Sequence, residues 1–307
     1  MSERFAQGVA LTLVAVLVWG AQFPIAKSAF AAVDPYHVSA LRYGLATLAL
    51  VPLVAWHEGP TVLRYYGRLW PASLLGVIGM TASPLLVFTG LALTRAEHAA
   101  IIVSLQPSMT AVVNWRVRGR RPANFTLGCM LVAFAGVVLV VTKGDPALGM
   151  SRREVAGDAL VLLGAMCWVV YTLGTESFRG WSALKFTILT LIPGSVGLAL
   201  AAALAVPFGL AHVPTWPEVA SVGAELAFLA VGGVLLAMIC WNAGTRRIGA
   251  LNSMLLLNLV PIVTFSMRFL QGQRFLPVEL AGAALVVGAL AANNLRLRRR
   301  YAHGAPG

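Results

Sequence analysis

Of 307 residues, 59% are hydrophobic and only 11% are charged, with a mean hydropathy of +0.81. An average soluble domain is about one-quarter charged, so this composition excludes a water-soluble protein and specifies one embedded in a bilayer. The net charge of +12 is scattered through short gaps between apolar blocks and forms no continuous basic face; that excludes nucleic acid as a partner and reads as the Lys/Arg bias of cytoplasmic loops.

A helix crosses a membrane with about 20 mostly apolar residues, and ten segments meet that length. The first covers 8–28. Arg4 ahead of it and Ala29-Phe30-Ala31 behind it imitate a secretory signal. The block is nevertheless longer than the roughly 7–15 residues of a signal core, and it contains Pro24 and Lys27, so it is expected to stay as the first span. Near its middle, Trp19 and Phe23 share a helix face, with Gln22 beside them. The second segment, 37–56, carries Arg42 close to its start, and the third, 70–93, carries Phe88. Glu97 and His98 open the fourth, 97–115, which also holds Gln106 and Pro107. In the fifth, 124–142, Gly128 and Gly136 form a smooth stripe suited to close helix packing.

A linker, 143–156, precedes a second set of five. Trp168 and Tyr171 share a face of the sixth segment, 157–176. The seventh is 184–206; the eighth, 221–242, begins near Glu225 and ends at Asn242. Asn258 and Pro261 lie in the ninth, 250–270. Ala284, Gly288 and Ala292 mark the tenth, 277–295, as a smooth partner for the fifth, and a basic tail follows over 296–307.

The two sets repeat each other. Gly8 falls on Gly157 and Trp19 on Trp168, an offset of 149 residues, and Pro107 falls on Pro261 with Thr110 on Thr264. Two halves of five spans each, 1–142 and 157–295, must lie inverted to one another. The expected fold is therefore all-α, with ten transmembrane helices in two inverted five-helix repeats around a central cavity, the arrangement of alternating-access carriers. Ten spans put both termini on one side. The arginine clusters at 116–121, 246–247 and 296–300 then fall on the same side as the termini, which the positive-inside rule makes cytoplasmic.

Aromatic side chains in a span either pack, anchor at the headgroups, or line a cavity. The mid-span position of Trp19 speaks against the headgroup belt and for a cavity wall. Trp19, Gln22, Phe23, Phe88, Gln106, Trp168, Tyr171, Asn242 and Asn258 are the candidate substrate-binding residues. Each proline removes a backbone donor, so Pro107 and Pro261 are expected to let their helices bend. Intramembrane charge is scarce and costly, which makes Arg42, His98 and Glu225 candidate proton or charge sites, with a snorkelling interfacial side chain as the favoured reading of His98 and Glu225. Cys129, Cys167 and Cys240 read as small core hydrophobes, and the five histidines are scattered. No nucleophile elbow, phosphate loop or zinc-binding spacing is present. No catalytic residue, metal or cofactor, and no direct use of ATP, is expected.

The run VLVWGAQFPIAK in the first segment, GAMCWVVYTL in the sixth, SALRYGLATLALV, CWNAGTRRIGALNS, and the paired LQP and LVP resemble the EamA branch of the drug/metabolite transporter superfamily over about residues 8–295. The chain departs from that pattern where the family commonly has glutamate after the glycine closing the fourth and ninth spans; here the pairs are Gly119-Arg120 and Gly272-Gln273. The resemblance implies a bacterial inner-membrane secondary transporter, most often an exporter of amino acids or related metabolites. The expected partners are a small-molecule substrate and lipid. A self-contained repeat makes a monomer sufficient, with a homodimer as the alternative. Other readings are efflux of cationic drugs, import of a metabolite, or a membrane-embedded enzyme, for which no clustered catalytic side chains are seen.

Overall fold

A computed structural model describes residues 3–119, 121–144 and 151–302. Part of the expected linker, 145–150, and the end of the basic tail, 303–307, lie outside the described residues. The chain forms α1 (Glu3–Ala29), α2 (Pro35–Glu58), α3 (Leu69–Leu93), a broken α4 (Ala96–Ser104 and Gln106–Arg118) and α5 (Asn124–Thr142). Then come α6 (Arg152–Phe178), α7 (Ala183–Ala205), α8 (Gly223–Ile248), a broken α9 (Ala250–Leu256 and Val260–Leu270) and α10 (Pro277–Ala302). No strand occurs among the described residues.

Local sequence sets the helix ends. The Asp34 carboxylate accepts from the amides of Tyr36 and His37, at 2.9 and 3.0 Å, and Pro35 supplies the first-turn geometry of α2. Ser151 and Glu154 form a capping box at the start of α6, and Ser182 caps α7.

Eight of these helices are long and apolar enough to cross a membrane. The expected fourth span differs: it is interrupted at Leu105, two residues before Pro107. In α9 the helix tightens into a short 3₁₀ turn at Leu257–Leu259, two residues before Pro261. Proline lacks the N–H and its ring crowds the carbonyl four residues earlier, so the same cause breaks both. The apolar part of α10 is also shorter than a full span, Pro277–Asn293. Large apolar side chains such as Leu48, Leu131 and Leu204 face outward, as a lipid-facing coat requires, and Trp56, Trp70 and Trp216 lie exposed near helix ends where an interfacial belt belongs.

Glycines set the closest approaches. A Cβ on Gly157 would meet the Gly90 carbonyl oxygen at 2.7 Å, and one on Gly244 would meet that of Gly8 at 2.9 Å. Gly8 corresponds to Gly157 in the repeat, so α1 rides on α8 as α6 rides on α3. Helices α5 and α10 pack on each other, as their small residues suggest, but through Gly136 and Gly282, while Gly128 and Gly288 have nothing near. Because a Gly136 Cβ would lie 2.6 Å from the Gly282 oxygen, Gly136→Val is expected to destabilise by about 1–3 kcal/mol. Gly128→Ala should leave the melting temperature in detergent unchanged or slightly raised; equal melting of both variants would remove this contact from the account.

Candidate functional site

Halfway along the bundle a small cavity of about 70 Å³, opening into a wider mouth, is walled by α1, α2, α3, α4, α6, α8 and α9. Trp19 and Trp168 meet edge to face with ring centroids 5.2 Å apart. The Trp19 indole N–H donates to the Gly233 carbonyl at 2.9 Å. Of the residues read from sequence, Trp19, Gln22, Phe23, Phe88, Gln106 and Trp168 line this space, together with Arg42. The Gln106 amide donates to the Ala165 carbonyl at 3.2 Å, and its own carbonyl oxygen is buried without a partner.

Three candidates lie elsewhere. Tyr171 is fully buried, its ring 5.0 Å from Trp168, and its hydroxyl meets Thr190 at 3.3 Å and accepts from Asn242 at 3.2 Å. Asn242 also donates to Thr187 at 2.8 Å. This polar knot fastens α6, α7 and α8 beyond the cavity and leaves the Asn242 side-chain oxygen buried without a partner. Asn258 sits in the α9 break, buried, with both amide atoms unpartnered. Pro107 and Pro261 do not line the cavity either; each begins the helix that continues after its break.

Trp241, which the sequence reading does not single out, completes a cluster with Trp19 and Trp168 at 5.1 and 6.0 Å. From there Tyr171, Phe186, Phe178 and Trp181 continue as a chain of ring contacts. Arg246 closes that chain by donating to the Phe178 and Trp181 carbonyls. Gly8 packs on Arg247 and Ile248, so this aromatic plug fills the end of the bundle where the chain begins.

Tyr43, Ser83 and Gly233 are further cavity residues missed in the sequence. Gly233 belongs to a stretch of π-type turns at Phe228–Leu236, and Ser83 directly follows another at Val77–Ala82. A π-type insertion rotates the helix face and often marks a functional site. The signal available was glycine inside a span, Gly79 and the pair Gly232-Gly233.

At the opposite end lies a network of charge. Lys27 donates to the carbonyls of Leu91, Ala92 and Thr94, Arg95 pairs with Glu279 at 2.8 Å, and Arg268 pairs with Glu97 at 3.1 Å. His98 is no snorkelling residue. It is buried, its Nδ1 3.1 Å from the Thr94 hydroxyl and 3.5 Å from Asp158, while Thr94 donates to Asp158 at 2.6 Å. Glu225 is half-buried at the start of α8 and belongs to neither cluster. Asp158 and Glu279 could not be paired from sequence, because their partners are more than 60 residues away.

Relatives match this chain over most of its length. Two uncharacterized transporters of Bacillus subtilis (strain 168), YrdR and YyaM, are 30% and 29% identical to it over 95% and 90% of this chain and 92% and 90% of their own. An uncharacterized transporter of Archaeoglobus fulgidus is 28% identical over 83% of this chain and 85% of its own. A solved crystal structure superposes with a TM-score of 0.72 at 23% identity, covering 96% of this chain and 98% of that one, and speaks for the fold alone. The EamA-like transporter family model matches twice, over residues 6–142 and 155–295. With nearly its whole length matched, the chain is a multi-pass membrane protein that belongs to the EamA-like transporter family.

Proposed function

We propose that the chain is a secondary transporter that moves small amphiphilic metabolites out of a bacterial cell across the inner membrane by alternating access, with aromatic amino acids as the first candidates. The observation that carries this reading is the wall shared by Trp19 and Trp168, one from each matched half, meeting across a cavity that also presents Ser83 and Gln106. Rings of this kind stack on an apolar or aromatic body, and the amide and hydroxyl groups orient a polar end. With the termini in the cytoplasm, as the arginine clusters favour, the aromatic plug is the cytoplasmic closure, and the breaks before Pro107 and Pro261 are the places where α4 and α9 bend. Efflux of cationic drugs finds less support, since no carboxylate among the described residues lines the cavity.

Solute counterflow in proteoliposomes, run against an amino-acid panel with and without a pH gradient, tests the proposal. Uptake of labelled phenylalanine or tryptophan into vesicles preloaded with the same compound is the expected result. Absence of counterflow for every amino acid would remove the substrate assignment, and acceleration by the gradient would add proton coupling.

A further inference from the structure

Arg42 is the one buried cation at the cavity whose charge is unmatched among the described residues. Its side chain is 3% exposed, yet it lines the space between Trp19, Phe23 and Phe88. Nη1 donates to the Gln22 side-chain amide oxygen at 3.0 Å, Nε has no partner, and no carboxylate among the described residues pairs with it. The guanidinium carbon lies 3.7 Å from the Phe88 ring centroid and 5.0 Å from that of Tyr43. The other cations deep in this chain are answered differently: Lys27 and Arg246 by backbone carbonyls, Arg95 and Arg268 by glutamates.

A buried charge without a counter-ion costs stability, and the fold keeps this one over the Phe88 ring with only one amide, that of Gln22, engaged. A guanidinium held that way still offers parallel N–H groups, the fork that takes a carboxylate two-pronged. Nothing acidic in the cavity wall would answer a substrate's ammonium; the Gln106 oxygen is a neutral acceptor. We propose that Arg42, oriented by Gln22 and Phe88, anchors a carboxylate on the transported molecule, so that the anionic group is obligatory and an amino group is not. The inference rests on the reading that this cavity is the transport site. It narrows the substrate to a small carboxylate with an aromatic or apolar body.

Binding of three probes to the purified protein, by calorimetry and thermal shift at pH 7, tests it: 3-phenylpropionate, L-phenylalanine and 2-phenylethylamine. The first two should bind within about tenfold of each other, and the amine, lacking the charge-assisted pair, at least roughly tenfold more weakly than either. Arg42→Lys should weaken 3-phenylpropionate by about tenfold, and Arg42→Gln should abolish its binding while melting no lower than wild type. An amine that binds as well as the acid, no binding of any probe, or a folded Arg42→Gln with wild-type affinity would overturn the anchor. The ladder of three ligands on wild-type protein decides the matter even where a variant fails to fold. Counterflow on the same preparation separates this proposal from the previous one. Arg42-dependent binding of 3-phenylpropionate without counterflow of any amino acid keeps the anchor and removes amino-acid export. Amino-acid counterflow undiminished in Arg42→Gln does the reverse.

Discussion

Trp19→Ala and Trp168→Ala are each expected to lower counterflow of the transported compound at least about tenfold, because a stacked ring contributes on the order of 1.5 kcal/mol beyond its buried area. Truncation also empties packed space. Trp→Ala in a core costs roughly 3–5 kcal/mol, so a loss of transport could reflect a loosened bundle. Phenylalanine separates the two effects. Trp19→Phe keeps a ring against Trp168 and Trp241 but removes the indole N–H that Gly233 accepts. That carbonyl lies in a stretch of π-type turns where regular helix bonding is already disturbed. Leaving it unpaired should cost about 1–3 kcal/mol, visible as a lower melting temperature with counterflow largely kept. No such bond holds the Trp168 nitrogen among the described residues, so Trp168→Phe should melt closer to wild type. Wild-type counterflow in both alanine variants would take the tryptophan pair out of the transport path.

The tryptophans also show what can be read from sequence. Trp56, Trp70 and Trp216 sit near helix ends and are exposed, whereas Trp19, Trp168 and Trp241 sit within helices and are buried. Position within an apolar block separates these classes for Trp19 and Trp168, whose shared offset marks them further. Trp241 has no such mark: its counterpart in the first half, at the offset of the proline pair, is Val87. The all-helical, two-repeat architecture is legible because hydrophobic length and internal similarity are properties of the chain itself. Side-chain rotation about a helix axis is not. The π-type turns at Val77–Ala82 and Phe228–Leu236 each change the facing of the residues beyond them, and period-3.6 reasoning carries no term for that rotation. Polarity alone puts Tyr171 and Asn242 in the cavity, but buried polar groups satisfy one another first, and here Thr187 and Thr190 stand ready on α7. His98 reads from sequence as an interfacial side chain because Asp158, its partner, lies on a helix from the other half of the chain.

Glu97→Gln is expected to be among the most destabilising exchanges of a polar side chain in this protein. The Glu97 carboxylate is 2% exposed and lies between Arg268 at 3.1 Å and Arg95 at 3.6 Å. Removing its charge leaves Arg95 paired with Glu279, while Arg268 keeps only the side-chain oxygens of Gln271 and Gln273 among the described residues. Breaking a buried ion pair from one side costs about 3–5 kcal/mol. Arg95 and Arg268 keep partial access to solvent, which reduces the expectation to roughly 2–3 kcal/mol. The double variant Glu97→Gln/Arg268→Gln should recover much of that loss, since the stranded charge goes with its partner; a thermodynamic cycle over the two positions in detergent measures the coupling. Additive losses would mean that the pair holds nothing together. The pair also spans the two halves. Arg268 lies near the end of the α9 segment that begins at Val260, next to Pro261, and Glu97 lies in the first turn of α4. Both helices are broken partway along, so this bond fixes the first segment of α4 against the last segment of α9. If these segments must part during exchange, the double variant will exchange substrate faster than wild type at equal folded fraction. Unchanged exchange would assign the pair to stability alone.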